Sequence, residues 1–179
     1  MIFEPTSLPG LLVVRPEKHT DARGCFARLW CEGEFAAAGT PFRPQQISVS
    51  SNRAAGTLRG LHWQPPPHAE TKLVRAISGA MFDVVVDLRP DSPTHAEWFG
   101  MQLDADTAAA LLIPRGFAHG FITLTDGTEL LYCIDTPFEP TAACGARFDD
   151  PAFGIVWPRP PAVIGPRDLA WPPFRSAPV

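Results

Sequence analysis

Residues 58–78 read LRGLHWQPPPHAETKLVRAIS, two apolar segments joined by three consecutive prolines. Short segments of this kind, rich in Leu, Val and Ile and bounded by turn residues, are typical of β-strands. Proline has no N–H group to donate to a neighbouring strand, so the prolines at 65–67 predict that the two strands are connected there. A hairpin centred near Pro67 would place His62 opposite Lys72 on one face of a sheet, and a base and a cation would then share one surface.

The rest of the chain repeats this pattern. The 21 prolines and 14 glycines separate short apolar segments, which predicts an all-β sandwich or barrel. Strands are expected near residues 11–15, 24–31, 45–52, 57–64, 71–78, 80–88, 97–103, 109–113, 119–125 and 129–136. Only residues 32–38 are predicted to be helical.

A second hairpin is predicted at Asp126-Gly127, a strong short-range turn signal. With these two residues as the loop, Phe121 would lie opposite Tyr132. His119 would then be on the same face as Tyr132, because side chains alternate along a strand.

Length and charge exclude several classes of protein. With 179 residues and 45% hydrophobic content, one domain is expected. The net charge of −4 and the scattered basic residues argue against nucleic acid as a partner. No apolar stretch approaches the roughly 18 residues needed to cross a membrane, and no signal peptide is visible. The four cysteines form no CxxC pair, so we expect a cytoplasmic protein with reduced thiols.

The C-terminal residues 149–179 are rich in proline, yet exposure of their large apolar side chains would be costly. These side chains are Phe153, Ile155, Trp157, Ile164 and Trp171. We therefore expect a single domain over residues 1–179 in which this segment packs back on the barrel.

Three charged residues lie in segments that are otherwise apolar. An unpaired buried charge is expensive, so Lys72 on an inward face should meet an anion or a developing negative charge. The same reasoning applies to Arg59 and to Asp83, which lies within MFDVVVDL at 81–88.

Several ordered motifs identify the sequence as similar to a known family. They are DARGCF at 21–26, LRGLHWQ at 58–64, KLV at 72–74, FDVVVDLR at 82–89, SPT at 92–94 and IPRGFAHGF at 113–121. Together they resemble the dTDP-4-dehydrorhamnose 3,5-epimerase family over about residues 11–172. The resemblance implies a cupin jelly-roll β-sandwich, no cofactor, and a homodimer in which N-terminal segments help to build the neighbouring subunit's site.

The resemblance also implies roles for particular residues in inverting C3, C5 or both in a nucleotide-diphospho-4-keto-6-deoxyhexose. His62 would be the base, supported by Asp168, while Lys72 would stabilise the enolate and Tyr132 would donate a proton on the opposite face. The 4-keto group makes the neighbouring C–H protons removable, and inversion needs a base and an acid on opposite faces. The nucleotide diphosphate would be held by Arg23, Gln46, Arg59 and His119. The other substrate-binding residues would be Phe26, Arg28, Ser48 and Phe138, with Arg28 and Ser48 on the nucleotide side.

Four positions depart from the family pattern. Arg28 replaces a glutamate, Ser48 an asparagine, Phe138 a tyrosine and Ala143 a glutamate. A guanidinium offers only donors, so Arg28 is expected to favour a base rich in acceptors. The leading substrate is dTDP-4-dehydro-6-deoxyglucose, and the alternative is a CDP- or GDP-linked 4-keto sugar.

Other functions are less well supported by the sequence. Residues 114–119 also resemble the second motif of metal-binding cupins, but the first motif lacks its second histidine. A metal would find at most His62, Glu70 and His119, so no metal is expected. A 3,4-ketoisomerase and a non-catalytic sugar-nucleotide binding protein are the remaining alternatives.

Overall fold

The computed structural model describes residues 1–175, so residues 176–179 of the predicted tail lie outside the described part. The strands are β1 Ile2–Pro5, β2 Leu12–Arg15, β3 Lys18–Asp21, β4 Gly24–Ala27, β5 Gln46–Asn52, β6 Thr57–Trp63, β7 Lys72–Ser78, β8 Ala80–Asp87, β9 Trp98–Asp104, β10 Ala110–Ile113, β11 Phe117–Thr123, β12 Thr128–Ile134, β13 Cys144–Gly145 and β14 Val163–Ile164. Two short helices, α1 Glu32–Ala37 and α2 Pro166–Leu169, and a 3₁₀ turn at Pro140–Ala142 complete the described elements. None of these helices is long and apolar enough to cross a membrane.

Most strands form two sheets that pack face to face. The first sheet has the order β1-β2-β10-β7-β12-β5, and the second has the order β13-β6-β11-β8-β9 with β14 also paired to β6. Apolar side chains of both sheets fill the space between them, including Val74 and Leu111 from the first and Val85, Leu103 and Phe121 from the second. The predicted all-β, cupin-type sandwich is confirmed.

The ten expected strands and the expected helix are all present, with ends shifted by a few residues. Four strands and one helix were not predicted: β1, β3, β13, β14 and α2. The two strands β13 and β14 contain only two residues each, and β3 is polar and exposed throughout, so none shows an apolar alternation. Such elements depend on the partner that they pair with, which local sequence does not reveal.

The hairpin predicted around Pro67 is wrong. Strand β6 pairs with β11, β13 and β14, whereas β7 pairs with β10 and β12. The chain after the prolines crosses from the second sheet to the first, so His62 and Lys72 belong to opposite sheets. The expectation assumed that strands adjacent in sequence pair with each other, which holds for only about two-thirds of consecutive elements.

The hairpin predicted at Asp126-Gly127 is wrong for the same reason. The chain turns there, but β11 belongs to the second sheet and β12 to the first. His119 and Tyr132 nevertheless meet across the sandwich, with ring centroids 5.8 Å apart. The expectation that they share one face of a sheet is therefore wrong, because they approach each other from opposite sheets.

The C-terminal segment is held to the second sheet. Strand β14 pairs in parallel with Thr57 and Leu58 at the start of β6. Phe153 is buried, and its ring lies 4.8 Å from that of Phe174. This path brings α2, which carries Asp168, against β6.

Strands β6 and β11 approach very closely at Gly60 and Gly120. Gly60 has a φ of +118°, and a Cβ atom added to it would lie 2.5 Å from the Gly120 Cα and 2.8 Å from the His119 carbonyl oxygen. A side chain at this position would separate the strands that carry His62 and His119. Glycine is therefore required by both the backbone conformation and the contact.

We predict that Gly60→Ala lowers the free energy of unfolding by about 3 kcal/mol or more, because backbone strain and a steric clash combine. Gly24→Ala is the matched control, since Gly24 has a φ of +131° but nothing within 4 Å of the added atom. It should cost at most about 1–2 kcal/mol. Urea denaturation of both variants measures the difference, and equal losses would contradict the close approach.

Candidate active site

The space between the sheets opens at one end into a cavity of about 430 Å³. Six polar residues of its lining come from both sheets and from α2: Arg59, His62, Lys72, His119, Tyr132 and Asp168. The cavity is of the size that holds a small-molecule ligand.

His62 and Asp168 form a hydrogen-bonded pair on one side of this cavity. The distance between His62 Nε2 and Asp168 Oδ1 is 2.6 Å. The His62 side chain is 43% exposed, whereas that of Asp168 is 9% exposed. With Nε2–H donated to the carboxylate, Nδ1 carries the lone pair that can accept a proton.

Asp168 is held in place from two directions. Its Oδ2 accepts the backbone N–H of Gly60 at 3.1 Å. Burial by itself would raise the pKa of Asp168, but the hydrogen bond and charge of His62 and the Gly60 N–H together hold that pKa below its ordinary value. Asp168 is therefore a carboxylate that orients His62.

Tyr132 and Lys72 occupy the opposite wall. They lie on the adjacent strands β12 and β7, where Tyr132 pairs with Val74 and Lys72 pairs with Ile134, so both point to the same face. Burial raises the pKa of Tyr132 well above its ordinary value, and the nearby charge of Asp83 raises it further. Tyr132, the only tyrosine in the chain, is thus kept as a phenol.

Lys72 is paired with Glu70, which the sequence analysis considered only as a metal ligand. Lys72 Nζ lies 3.0 Å from Glu70 Oε1, and both side chains are about nine-tenths buried. Gln64 donates to Glu70 Oε2 at 3.0 Å and accepts the Glu139 backbone N–H at 2.9 Å. The sequence contained a signal for this pair. Glu70 and Lys72 carry opposite charges and are two residues apart, which places them on the same side of an extended chain.

Asp83 and His119 form a second carboxylate–histidine pair, in which His119 lines the cavity and Asp83 is fully buried. Asp83 Oδ2 lies 2.9 Å from His119 Nε2, and the two side chains are 0% and 4% exposed. Burial raises the pKa of Asp83, although His119 and the charge of Lys72 oppose this shift. The buried charges expected at Lys72 and Asp83 therefore both have partners.

Arg59 lines the cavity at its exposed end, and its Nε donates to Asn52 Oδ1 at 2.9 Å. Phe138 lines the mouth and is 51% exposed. Gln46 accepts the Phe138 backbone N–H at 3.0 Å, and Ser48 lies opposite Tyr132 on the edge strand β5.

The structure does not bring Arg23, Phe26 and Arg28 to this cavity. Strands β3 and β4 form a separate two-stranded hairpin, the arm, whose residues are nearly all exposed. Phe26 is 70% exposed, and Arg23 forms an ion pair with Asp21 within the arm. Arg28 Nη1 lies 2.9 Å from the Glu34 carboxylate at the arm's base.

The three residues considered as metal ligands each have another partner. His62 contacts Asp168, Glu70 contacts Lys72, and His119 contacts Asp83. Within residues 1–175, no group of three or more His, Cys, Asp or Glu side chains is arranged to hold a metal ion.

The family described as dTDP-4-dehydrorhamnose 3,5-epimerase matches residues 5–176. This chain belongs to that family. The dTDP-4-dehydrorhamnose 3,5-epimerase of Sinorhizobium fredii is 38% identical over 180 residues, covering 100% of this chain and 92% of that protein. The resemblance inferred from the motifs, and the enzyme class of sugar-nucleotide epimerases, are confirmed.

Solved structures of epimerases are similar along most of their length. The dTDP-4-dehydrorhamnose 3,5-epimerase from Bacillus anthracis with TDP and PPi bound has a TM-score of 0.94 and 35% identity, covering 97% of this chain and 99% of that one. The dTDP-6-deoxy-D-glucose-3,5-epimerase from Legionella pneumophila in complex with dTDP-4-keto-L-rhamnose has a TM-score of 0.90 and 31% identity, with coverage of 95% and 90%.

We predict that Asp168→Asn reduces proton removal and epimerisation together, on the order of 10²–10⁴-fold, because an amide N–H would favour the wrong tautomer of His62. Rates of C–H exchange and of inversion measure the effect. The exposed Asp149, which pairs with Arg147 at 2.8 Å, provides the control variant Asp149→Asn. Full activity of Asp168→Asn would show that the pairing of Asp168 with His62 is not needed for the reaction.

The pairing of His62 with Asp168 should also affect how the free energy of unfolding changes with pH. Folding lowers the Asp168 pKa, so the dyad stabilises the fold above the unfolded-state pKa of about 4, and this contribution disappears as the pH falls through the lower folded-state value. Urea unfolding between pH 7 and pH 3 should therefore show a steeper loss of stability in the wild type than in Asp168→Asn. Equal losses of stability in the wild type and in Asp168→Asn would contradict the lowered pKa of Asp168.

Proposed function

We propose that this epimerase inverts C3 and C5 of dTDP-4-dehydro-6-deoxyglucose by removing a proton on one face of the sugar and returning one on the other. The observation that supports this most strongly is the arrangement of His62 and Tyr132. They belong to opposite sheets and line a single cavity, so a flat sugar ring between them would meet a base on one face and an acid on the other.

His62 removes the proton in this proposal. Its Nδ1 is the accepting atom, since Nε2 is bound to Asp168, and the carboxylate stabilises the imidazolium that forms. Because His62 is 43% exposed, it can pass the proton to water after each turnover. A positioned base contributes roughly 10²–10⁴-fold to such a step.

Lys72 stabilises the enolate. Removal of a proton from C3 or C5 moves negative charge to the 4-keto oxygen, and a fixed ammonium beside that oxygen contributes roughly 3–4 kcal/mol to the barrier reduction. Glu70 holds the ammonium in place through its contact of 3.0 Å. The chemistry requires no redox or metal cofactor.

Tyr132 then delivers a proton to the opposite face of the carbon. Its phenol remains protonated at neutral pH because burial and the charge of Asp83 raise its pKa. A phenol is still far more acidic than the carbon that it protonates, so delivery is favourable. Retention or inversion is thus decided by whether His62 or Tyr132 returns the proton.

The nucleotide is thymidine diphosphate in this proposal. Related epimerases have been crystallised with TDP and with dTDP-4-keto-L-rhamnose, which favours dTDP over CDP or GDP. Arg28 is ion-paired with Glu34, so part of its donor capacity is already engaged within the chain. Arg59 and Gln46 would hold the diphosphate from within the same chain, whereas His119 is buried and paired with Asp83 at 2.9 Å.

The arm completes the site of a partner subunit in a homodimer. Arg23 and Phe26 are exposed and do not line the cavity of their own chain. The exposed ring of Phe26 can stack against the nucleotide base, and the guanidinium of Arg23 can bind the diphosphate. This cytoplasmic dimer would exchange its N-terminal arms.

We predict that His62→Ala abolishes both solvent deuterium uptake at C3 and C5 and epimerisation. Tyr132→Phe should still exchange deuterium with retention, because His62 can return a proton to the face from which it came, while inversion falls about 10²–10⁴-fold. NMR of dTDP-4-dehydro-6-deoxyglucose in D₂O measures exchange and inversion separately. Lys72→Met should suppress both processes, because the enolate loses its cation.

An equal loss of exchange and inversion in Tyr132→Phe would show that Tyr132 is structural or is itself the base. A wild type that leaves every carbon of the sugar unchanged would refute the proposed function as a whole.

A mixing experiment tests the arm. His62→Ala has an intact arm and no base, whereas the double variant Arg23→Ala, Phe26→Ala has an intact base and a defective arm. If arms are exchanged, random mixed dimers contain one complete site each, and about a quarter of wild-type activity should return. The control is the triple variant, in which the arm changes and the base change are combined in one chain. No recovery would show that the arm serves its own chain, and full activity of the double variant by itself would show that the arm serves no site.

A further inference from the structure

The mechanism above leaves one pair of buried titratable residues without a catalytic role. Asp83 and His119 contact each other at 2.9 Å and are 0% and 4% exposed. The exposed base His62 is the register partner of His119 on the adjacent strand, so both histidines point into the same cavity. The two carboxylate–histidine pairs differ mainly in their access to water.

The Asp83–His119 pair holds a proton. Asp83 Oδ1 has no hydrogen-bond partner among residues 1–175, and a charged carboxylate with an orphan buried oxygen would be costly. Burial accordingly raises the pKa of Asp83, against the opposing influence of His119 and Lys72. An extra proton on the carboxyl or the imidazole removes an unbalanced negative charge from this enclosed position.

The pair also faces Tyr132. The His119 ring meets the phenol ring at an interplanar angle of 77°, with centroids 5.8 Å apart. The charges that influence the phenol are Asp83, which disfavours the phenolate, and Arg59, which favours it. A phenolate formed here would thus lie beside a residue pair that has a proton to give.

Proton balance creates a need for such a donor. Each inversion leaves His62 with one extra proton and Tyr132 with one too few. His62 can release its proton to water, but Tyr132 is covered by the sugar while the sugar remains bound. A second inversion during the same binding event therefore requires a proton from inside the protein.

Building on the proposed function, we propose that the Asp83–His119 pair reprotonates Tyr132 while the sugar is still bound, so that two carbons are inverted in one binding event. An N–H or O–H bond of the pair breaks as the O–H bond of Tyr132 forms again. The Lys72 ammonium balances the negative charge left on the pair. His62 releases its first proton to water before it takes the second, and it releases the second in the same way. After the product leaves, water restores one proton to the pair and one to Tyr132, so no net proton is consumed.

The test compares products released at low conversion of dTDP-4-dehydro-6-deoxyglucose, separated by NMR into singly and doubly inverted sugar. The wild type should release mainly doubly inverted sugar. Asp83→Asn should raise the ratio of singly to doubly inverted product at least about tenfold, while its affinity for dTDP in calorimetry stays at the wild-type value. Asp83 is a positioning residue in this scheme, and a merely structural role would not change the product ratio.

Asp87→Asn is the matched control. Asp87 lies on the same strand and is equally buried, but its carboxylate accepts hydrogen bonds from Arg89, Ser92 and Thr94 outside the cavity. This variant should lose stability yet keep the wild-type product ratio. If Asp83→Asn does not fold, His119→Gln, with the same expected ratio, decides the question.

Three outcomes would overturn the inference while leaving the proposed function intact. The variants could slow both inversions equally, the raised ratio could be matched by a loss of dTDP affinity, or the wild type could itself release singly inverted sugar. A wild type that inverts no carbon would instead refute the proposed function.

Discussion

A charge enclosed between two β-sheets must be paired, and this constraint organises the whole cavity. Lys72 meets Glu70, His62 meets Asp168, and His119 meets Asp83, each within about hydrogen-bonding distance. An isolated ion at the buried positions of Lys72, Glu70 or Asp83 would destabilise the fold by several kcal/mol. The pairs therefore serve stability and chemistry together, because the partner that compensates a buried charge also fixes its orientation.

The two-sheet architecture provides what inversion of a carbon centre requires. His62 and His119 come from one sheet, and Lys72 and Tyr132 come from the other. A single sheet could present a base and an acid only side by side on one surface. Two facing sheets place them on either side of a flat ligand, and the sandwich core fixes the distance between them.

The two histidine pairs are alike in composition and unlike in environment. Asp168 reaches His62 from the C-terminal segment, at a position open to water, whereas Asp83 and His119 lie on neighbouring strands in the interior. Exposure suits the group that must discard a proton, and burial suits a group that must keep one. In the arm, Phe26 is 70% exposed, so residues 1–175 leave most of its apolar ring uncovered.

The sequence by itself determined the strand content and the family, because alternating apolar segments and ordered motifs are local properties of the chain. It also named the residues that are proposed to carry the chemistry. It also indicated that Lys72 and Asp83 would need partners. Only the tertiary structure decided how these residues face each other, since both predicted hairpins failed where the chain crosses between sheets. The pairing of Asp83 with His119 likewise depends on register between β8 and β11, which is fixed by packing of the whole sandwich and by no local signal.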